Sequence, residues 1–261
     1  MAGLISIPPV SRRCGYVWRR NLTVFLKTWK VNFFPPFIEA FLYLTAIGLG
    51  IGTYVQQIDG IPYVNFIAPA ILAISVMNSA FFECTYGSYV RMYYQKSFDA
   101  IIATPLSIED VIAGELIWGA TRSTMYVAIM LPVLAGFGVI SLPLSLLAIP
   151  LAFFGGMLFA GIAMCFTAVT PSIDTLNYPA FLFITPMMLF SGTFFPLSLL
   201  PQIFQYIALA FLPLTHLVAV MRMLTLPALS WTGILNIAWM GVAGFIVCVL
   251  SINLMRRRLI V

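Results

Sequence analysis

Four groups could bring proton or ion chemistry into this otherwise apolar chain: Glu39, Glu83, Glu115 and Arg122. Ionisable side chains inside a membrane are costly, which makes them functional candidates by default. All four fall within two or three helical turns of the same end of their apolar segments, and the middle of every segment is uncharged. Glu115 and Arg122 lie seven residues apart on one helix face, so pairing among these groups is expected and a structural or coupling role is favoured over a proton pathway. His216 is the single histidine, so no two-histidine metal site can form within one chain, and it reads as a structural hydrogen-bonding group. There is no GxxxxGKS/T phosphate loop, and the lysines are Lys27, Lys30 and Lys96 alone, so the chain has no P-loop for ATP. HExxH and GxSxG are also missing. Cys14, Cys84, Cys165 and Cys248 have no metal-ligand spacing and read as free structural thiols. No catalytic, cofactor or metal site is therefore expected in the chain itself.

Such sparse chemistry has to be positioned by hydrocarbon. Hydrophobic residues make up 62% of the 261 residues and charged ones 8%, far below the roughly 25% charged of soluble domains. No Asp, Glu, Lys or Arg occurs from Ser123 to Ile173, and from Thr175 to Met221 only His216 could carry charge. These stretches are long enough to cross a bilayer as helices. One all-α polytopic domain is expected over 1–261, with six spans at about 36–55, 63–88, 110–138, 143–168, 178–195 and 232–254. Arg12, Arg13, Arg19, Arg20, Lys27, Lys30, Arg91, Lys96, Arg122 and Arg256 to Arg258 then fall on one side, and only Arg222 falls on the other. The positive-inside rule makes the crowded side cytoplasmic, with both termini there and 255–261 as a cytoplasmic tail. The net charge of +5 comes from these flanks, and a basic face on a soluble fold for nucleic acid is absent.

Residues 11–33 read as a basic amphipathic helix, with Trp18, Leu22, Phe25 and Trp29 on one face and Arg12, Arg20, Lys27 and Lys30 opposite. It could be a simple anchor or a helix that leans on the bundle and moves with it. Pro35 and Pro36 suit the start of the first span. Gly48 and Gly52, and Gly156 and Ala160, are small-residue pairs that permit close helix approach. The link 56–62 carries Asp59. Residues 89–106 read as a short surface helix with Arg91, Gln95 and Asp99 along one side, ended by Thr104-Pro105. Ser107 and Asp110 then resemble a capping box. Pro186 predicts a kink in the fifth span. Residues 196–230 are apolar but broken at Pro196, Pro201, Pro213 and Pro227, and the piece between Pro201 and Pro213 reads as a re-entrant or interfacial helix on the outer side.

The stretch FSGTFFPLSLLPQIFQYIALAFLPLTHLVAVMR, 190–222, resembles the hallmark of ABC-2 type transporter permeases, through Gly192, Pro196, Pro201, Pro213, His216 and Arg222. IDGIPYVNFIAPA and RMYYQKSFDAIIATPLSIEDVIAGE resemble the same family, and WRRN at Trp18–Asn21 is similar to its nodulation protein J branch. The resemblance runs from about Tyr16 to the C-terminus. It implies a compact, type V-like ABC exporter of a bacterial inner membrane. Two permease chains, most simply a homodimer, would pair with two copies of a separate ABC ATPase subunit, which binds the ATP and magnesium. The N-terminal helix would correspond to a connecting helix, 89–106 to the coupling helix and 197–215 to the outer re-entrant region. The nodulation branch is associated with export of lipo-chitooligosaccharide signals.

Within that frame, Arg91, Gln95, Lys96, Phe98 and Asp99 are the expected ATPase-coupling residues. Asn78, Phe82, Phe183, Met187 and Phe190 are the expected lining of an apolar substrate cavity, which suits an amphipathic glycolipid, lipooligosaccharide or drug-like molecule. Arg222 could bind lipid phosphate, hold the re-entrant region by hydrogen bonds or anchor at the interface. Two other readings remain at this level: a non-transporting scaffold or sensor on the same fold, and an intramembrane lipid-modifying enzyme, for which convergent polar groups are lacking.

Overall fold

Helix α1, Cys14–Lys27, ends where Thr28 leaves the helical path, its hydroxyl turned back on the carbonyls of Val24 and Phe25. This computed structural model describes residues 8–55, 57–58, 60–226 and 231–259. Asp59 of the outer link, Pro227 and the last two residues of the expected tail lie outside the described residues. Helix α2 then runs Trp29–Leu49. The amphipathic helix is thus shorter than the expected 11–33, and Pro35 and Pro36 lie inside α2 instead of starting it. In an apolar medium the extended chain would strand more backbone groups than the rungs that two prolines remove, so the helix continues through them. Gly50 breaks it, and a short α3, Ile51–Tyr54, follows.

A hairpin of two-residue strands, β1 (Gln57–Ile58) and β2 (Ile61–Pro62), turns at Gly60 with φ +76°. Helix α4, Tyr63–Phe82, continues through π-turns at Glu83–Gly87 and Val90–Tyr94, so one rod spans Tyr63–Tyr94. The surface helix expected from residue 89 starts only at α5, Ser97–Ile102, after Lys96 adopts the left-handed conformation at φ +48°. Helix α6, Ile108–Gly136, opens with the expected capping box: Asp110 N donates to Ser107 Oγ at 3.2 Å and Ser107 N to Asp110 Oδ2 at 3.4 Å. Helix α7 covers Ala148–Val169.

The expected fifth span is helical from 177 to 190, as α8 (Asn177–Pro179), a π-turn at Ala180–Ile184 and α9 (Thr185–Phe190). The widened turn lies just before Pro186, whose missing amide could not close a normal rung. Helices α10 (Gln202–Phe211) and α11 (Pro213–Thr225) meet at an 88° bend. Helix α12, Trp231–Leu259, includes Arg256 to Arg258, so the residues expected to begin a tail form its last turn.

Among the described residues, four helical stretches are long and apolar enough to cross a membrane: Trp29–Tyr54, Tyr63–Tyr94, Leu144–Val169 and Trp231–Leu259; the bent α10–α11 pair would make a fifth. Helix α6 has the length, but its first half carries Glu109, Asp110, Glu115 and Arg122, while 177–190 falls short of the roughly 20 residues a span needs. The chain is a multi-pass, predominantly helical membrane protein.

Helices α4, α6 and α7 form the centre. Gly119 and Gly156 let α6 and α7 touch: a Cβ on Gly156 would stand 2.8 Å from Ser123 Cβ and 2.9 Å from Ala120 Cα, and one on Gly119 3.1 Å from Ala160 Cβ of α7 and 2.5 Å from Cys84 Sγ of the α4 rod. Ser79 and Ser123 hydroxyls meet at 2.9 Å between α4 and α6. Gly48 and Gly52 both face Val64 of α4 at ordinary contact distance. Because the nearest obstructions at Gly156, Ser123 Cβ and Ala120 Cα, are fixed to the α6 backbone and cannot rotate away, Gly156→Val is expected to separate α6 from α7 at a cost of about 1–3 kcal/mol or more. The check is a lower thermal midpoint in detergent, with Gly156→Ala intermediate; an unchanged midpoint for valine would refute the tight crossing.

Candidate functional site

The π-turns at the end of the α4 rod rotate Glu83, Ser88 and Arg91 towards α6, and this produces a buried charge cluster. Arg91 Nε and Nη2 donate to Glu115 Oε2 at 2.9 and 2.5 Å, and Nη1 donates to Glu83 Oε1 at 2.8 Å. Glu115, fully buried, also accepts from Ser88 Oγ at 2.8 Å and from Asn21 Nδ2 of α1 at 2.9 Å. Glu83 accepts from Trp118 Nε1 at 2.8 Å and pairs with Arg122 Nε at 3.7 Å. Arg20 reaches Glu115 at 3.5 Å. Pairing among the charged groups occurs as expected, but Glu115 and Arg122, seven apart, each take a partner from α4 rather than each other.

This cluster fastens α1 to the bundle. Val17 and Asn21 are the buried centre of α1, with Trp18, Leu22 and Phe25 partly buried beside them. Arg20, expected on the outer polar side, turns inward, and Trp29, expected on the packed face, is half exposed beyond the break. Trp18 Nε1 donates to Thr121 Oγ1 at 3.0 Å, and Ser11 N and Oγ donate to Asp110 at 2.7 and 2.9 Å. Val17 packs into the space left by Gly114 of α6, where a Cβ would stand 2.6 Å from Val17 Cβ. The helix leans on α6, as one of its two expected readings required. Burial, with Asp110 nearby, pushes the Cys14 thiol up, in keeping with an unreactive structural thiol.

The expected ridge of Arg91, Gln95 and Asp99 does not form. Lys96 breaks the helix, so Arg91 faces the cluster while Gln95, Lys96 and Asp99 are exposed at the same end. Phe98 is fully buried and anchors α5. A cleft of about 240 Å³ beside it is lined by Met92, Tyr93, Lys96, Asp99, Arg258 and Leu259. Helix α12 is tied to this end by Arg256, which pairs with Glu109 at 3.2 Å, and by Arg258, which donates to the Thr167 carbonyl.

The expected cavity residues separate. Phe82 and Phe190 are exposed, Asn78 and Phe183 are half-buried, and Met187 is buried in the core. Met187 therefore lines no open surface of this chain: on α9 it takes the face turned inward. Phe183 rests on Phe166, and Phe190 stacks on Phe204 of α10 at 5.6 Å.

At the opposite end, the broken segment closes around two side chains of α11. Arg222 Nη2 donates to the carbonyls of Gly192 at 2.7 Å and Thr193 at 3.2 Å, Nε to that of Phe66 at 3.4 Å, and the guanidinium lies over the Phe66 ring at 3.8 Å. Gly192 makes this turn with φ +70°, where a side chain would be strained. Tyr63 Oη donates to the Phe194 carbonyl at 3.1 Å. His216 holds the 88° bend: Nε2 lies 3.0 Å from the Leu209 carbonyl of α10 and Nδ1 2.7 Å from Asn236 Oδ1 of α12, with the ring stacked on Trp239 at 4.1 Å. A carbonyl can only accept, so Nε2 donates to Leu209. Of the open readings of Arg222, hydrogen bonding to the re-entrant region is the one observed. Asn21, Trp118, Asn236 and Trp239 were not anticipated; the available signal was a polar or indole side chain within a membrane helix.

Residues 12–226 match the sequence profile of the ABC-2 type transporter family. The chain belongs to the ABC-2 type transporter family. It is 34% identical to nodulation protein J of Sinorhizobium fredii (strain NBRC 101917 / NGR234), over 94% of this chain and 93% of that protein. It is 33% identical to nodulation protein J of Rhizobium leguminosarum bv. viciae, over 98% and 99% of the two chains. The inner membrane transport permease YadH of Escherichia coli (strain K12) is 26% identical over 72% of this chain and 73% of its own. No solved structure matches. This ABC-2 chain is the membrane permease component of an ABC transporter, and the family implies an ABC ATPase partner. The charged end and the Arg222 clasp of the ABC-2 chain are thus two ends of a permease.

Proposed function

We propose that the chain exports an amphipathic molecule with an acyl or aromatic portion, using ATP hydrolysed by two copies of a separate ATPase subunit docked on a homodimer of the permease. In this reading six segments cross the inner membrane, with α6 and 177–190 completing the set, and the charged end and both termini are cytoplasmic. The observation that carries the reading is the exposed Gln95, Lys96 and Asp99 patch, joined directly to the buried Arg91–Glu115 pair in a chain without a phosphate loop of its own. A push on that patch reaches α1, α4 and α6 together, because one salt-bridge cluster links them. ATP binding by the partner would favour one of two arrangements of the bundle, which is what switching requires. The exposed aromatic faces at Phe82 and Phe190 would meet a second chain and line the passage.

The test is co-purification with an ABC ATPase of the same organism, together with ATP-dependent uptake of a fluorescent lipid-like substrate into inverted vesicles. Charge reversal by Lys96→Glu with Asp99→Lys should abolish both while leaving the permease folded. Association and transport that survive the double reversal would overturn the coupling assignment, and association without transport would favour a scaffold.

A further inference from the structure

The charge cluster is not balanced. Arg20, Arg91 and Arg122 face only Glu83 and Glu115, leaving one positive charge in excess. The shortfall falls at Arg122, whose buried Nε has no hydrogen-bond partner among the described residues; its nearest carboxylate oxygen is 3.7 Å away. Nη1 of the same side chain donates to Asn32 at 3.0 Å, and the rings of Phe25 and Tyr126 cover the guanidinium. Arg122 lines a cleft of about 350 Å³ with Arg20, Thr28, Asn32, Gln95 and Ser97, a set of cations, amides and hydroxyls. Glu83 also borders this cleft; its Oε1 accepts from Arg91 and Trp118, while its Oε2 stands 3.7 Å from Arg122 Nε.

A second space adjoins the first. Phe25 lines both the cleft and an apolar groove of about 210 Å³ whose other walls are Trp29, Phe33, Met125, Ala128 and Ile129. Along α6 these positions lie one to two turns beyond Arg122, towards the middle of the bundle, and along α2 Trp29 and Phe33 climb in the same direction. A polar, positively charged cleft at the bundle's charged end thus lies next to a hydrocarbon-lined groove, with Phe25 between them. A free anion would use only the first part, whereas a phosphate-bearing lipid would fill both.

We propose that this composite site holds one anionic phospholipid, its phosphate on Arg122 and Arg20 and one acyl chain in the groove between α2 and α6. A charge-assisted bond between the phosphate and the guanidinium would offset the excess charge. The lipid bridges the α1–α2 break to α6, so its occupancy stiffens the junction where α1 joins the bundle.

The experiment uses the full chain in detergent, with native mass spectrometry and thermal unfolding after addition of phosphatidylglycerol, phosphatidylcholine or inorganic phosphate. The expected result is one retained phosphatidylglycerol and a raised midpoint that phosphatidylcholine and inorganic phosphate do not give. Arg122→Gln should weaken phosphatidylglycerol retention about tenfold, the scale of one lost hydrogen bond to a charged group. Asn32→Asp, which puts a carboxylate beside Arg122 without removing it, should do the same and decides the matter if the arginine variant fails to fold. Arg12→Gln with Arg19→Gln, on the exposed side of α1, should leave retention unchanged. Undiminished phosphatidylglycerol retention in Asn32→Asp, equal effects of the two lipids, or the full effect from inorganic phosphate alone would each overturn the proposal.

Discussion

Glu115→Gln is expected to be the most damaging single substitution in the molecule. Glu115 is fully buried and receives Arg91, Ser88 and Asn21, so it joins α6 to α4 and to α1 at one carboxylate. Neutralising it leaves Arg20, Arg91 and Arg122 facing Glu83 alone. Breaking a buried ion pair by removing one partner costs about 3–5 kcal/mol, because the remaining charge stays out of water. The expected outcome is a large fall in the detergent-solubilised thermal midpoint, with α1 the first element to gain hydrogen exchange. Glu115→Gln combined with Arg91→Gln should recover part of the loss, since the second change removes the stranded charge. A double variant no more stable than Glu115→Gln would show that the two residues are not coupled.

Arg222→Ala should have the next largest effect, confined to the other end. Its guanidinium donates to the carbonyls of Gly192, Thr193 and Phe66, three groups from two separate parts of the chain. Hydrogen bonds to a charged donor are worth about 1.5–3 kcal/mol each, and stacking on a ring adds about 0.5–2 kcal/mol. The terms are not additive, so a loss of about 2–4 kcal/mol is expected. Arg222→Lys should rescue little, because an ammonium cannot fork between carbonyls while lying flat on Phe66. The measurement is hydrogen exchange: residues 191–212 should loosen while the α1–α6 junction keeps its protection. Uniform loosening along the chain would mean that Arg222 supports the bundle generally and not the outer turn.

These two residues show how far the sequence could be read. The buried aliphatic runs, the one-sided charges and the capping box at Ser107 depend on local composition or short spacing, and each was legible without coordinates. Proline positions were less so. Pro35 and Pro36 lie within a helix where soluble-protein habit would start one, because an apolar medium favours helix continuity over the local preference. The break at Lys96 was also hidden: a lysine at positive φ has no sequence signature as strong as a glycine's, and a regular four-residue spacing carried the expected ridge across it.

The sequence by itself determined a multi-pass helical membrane protein with its charge gathered at one end, because transfer of side chains from water to hydrocarbon is decided residue by residue. Only the tertiary structure decided which charge meets which. Two π-turns rotate Arg91 away from the surface and onto Glu83 and Glu115, leaving Arg122 with a donor to spare, and an 88° bend brings Arg222 and His216 to carbonyls far away in the chain. Such pairings depend on a rotation of a few tens of degrees about a helix axis. Backbone hydrogen bonding and packing set that rotation together, and residue spacing along the chain does not record it.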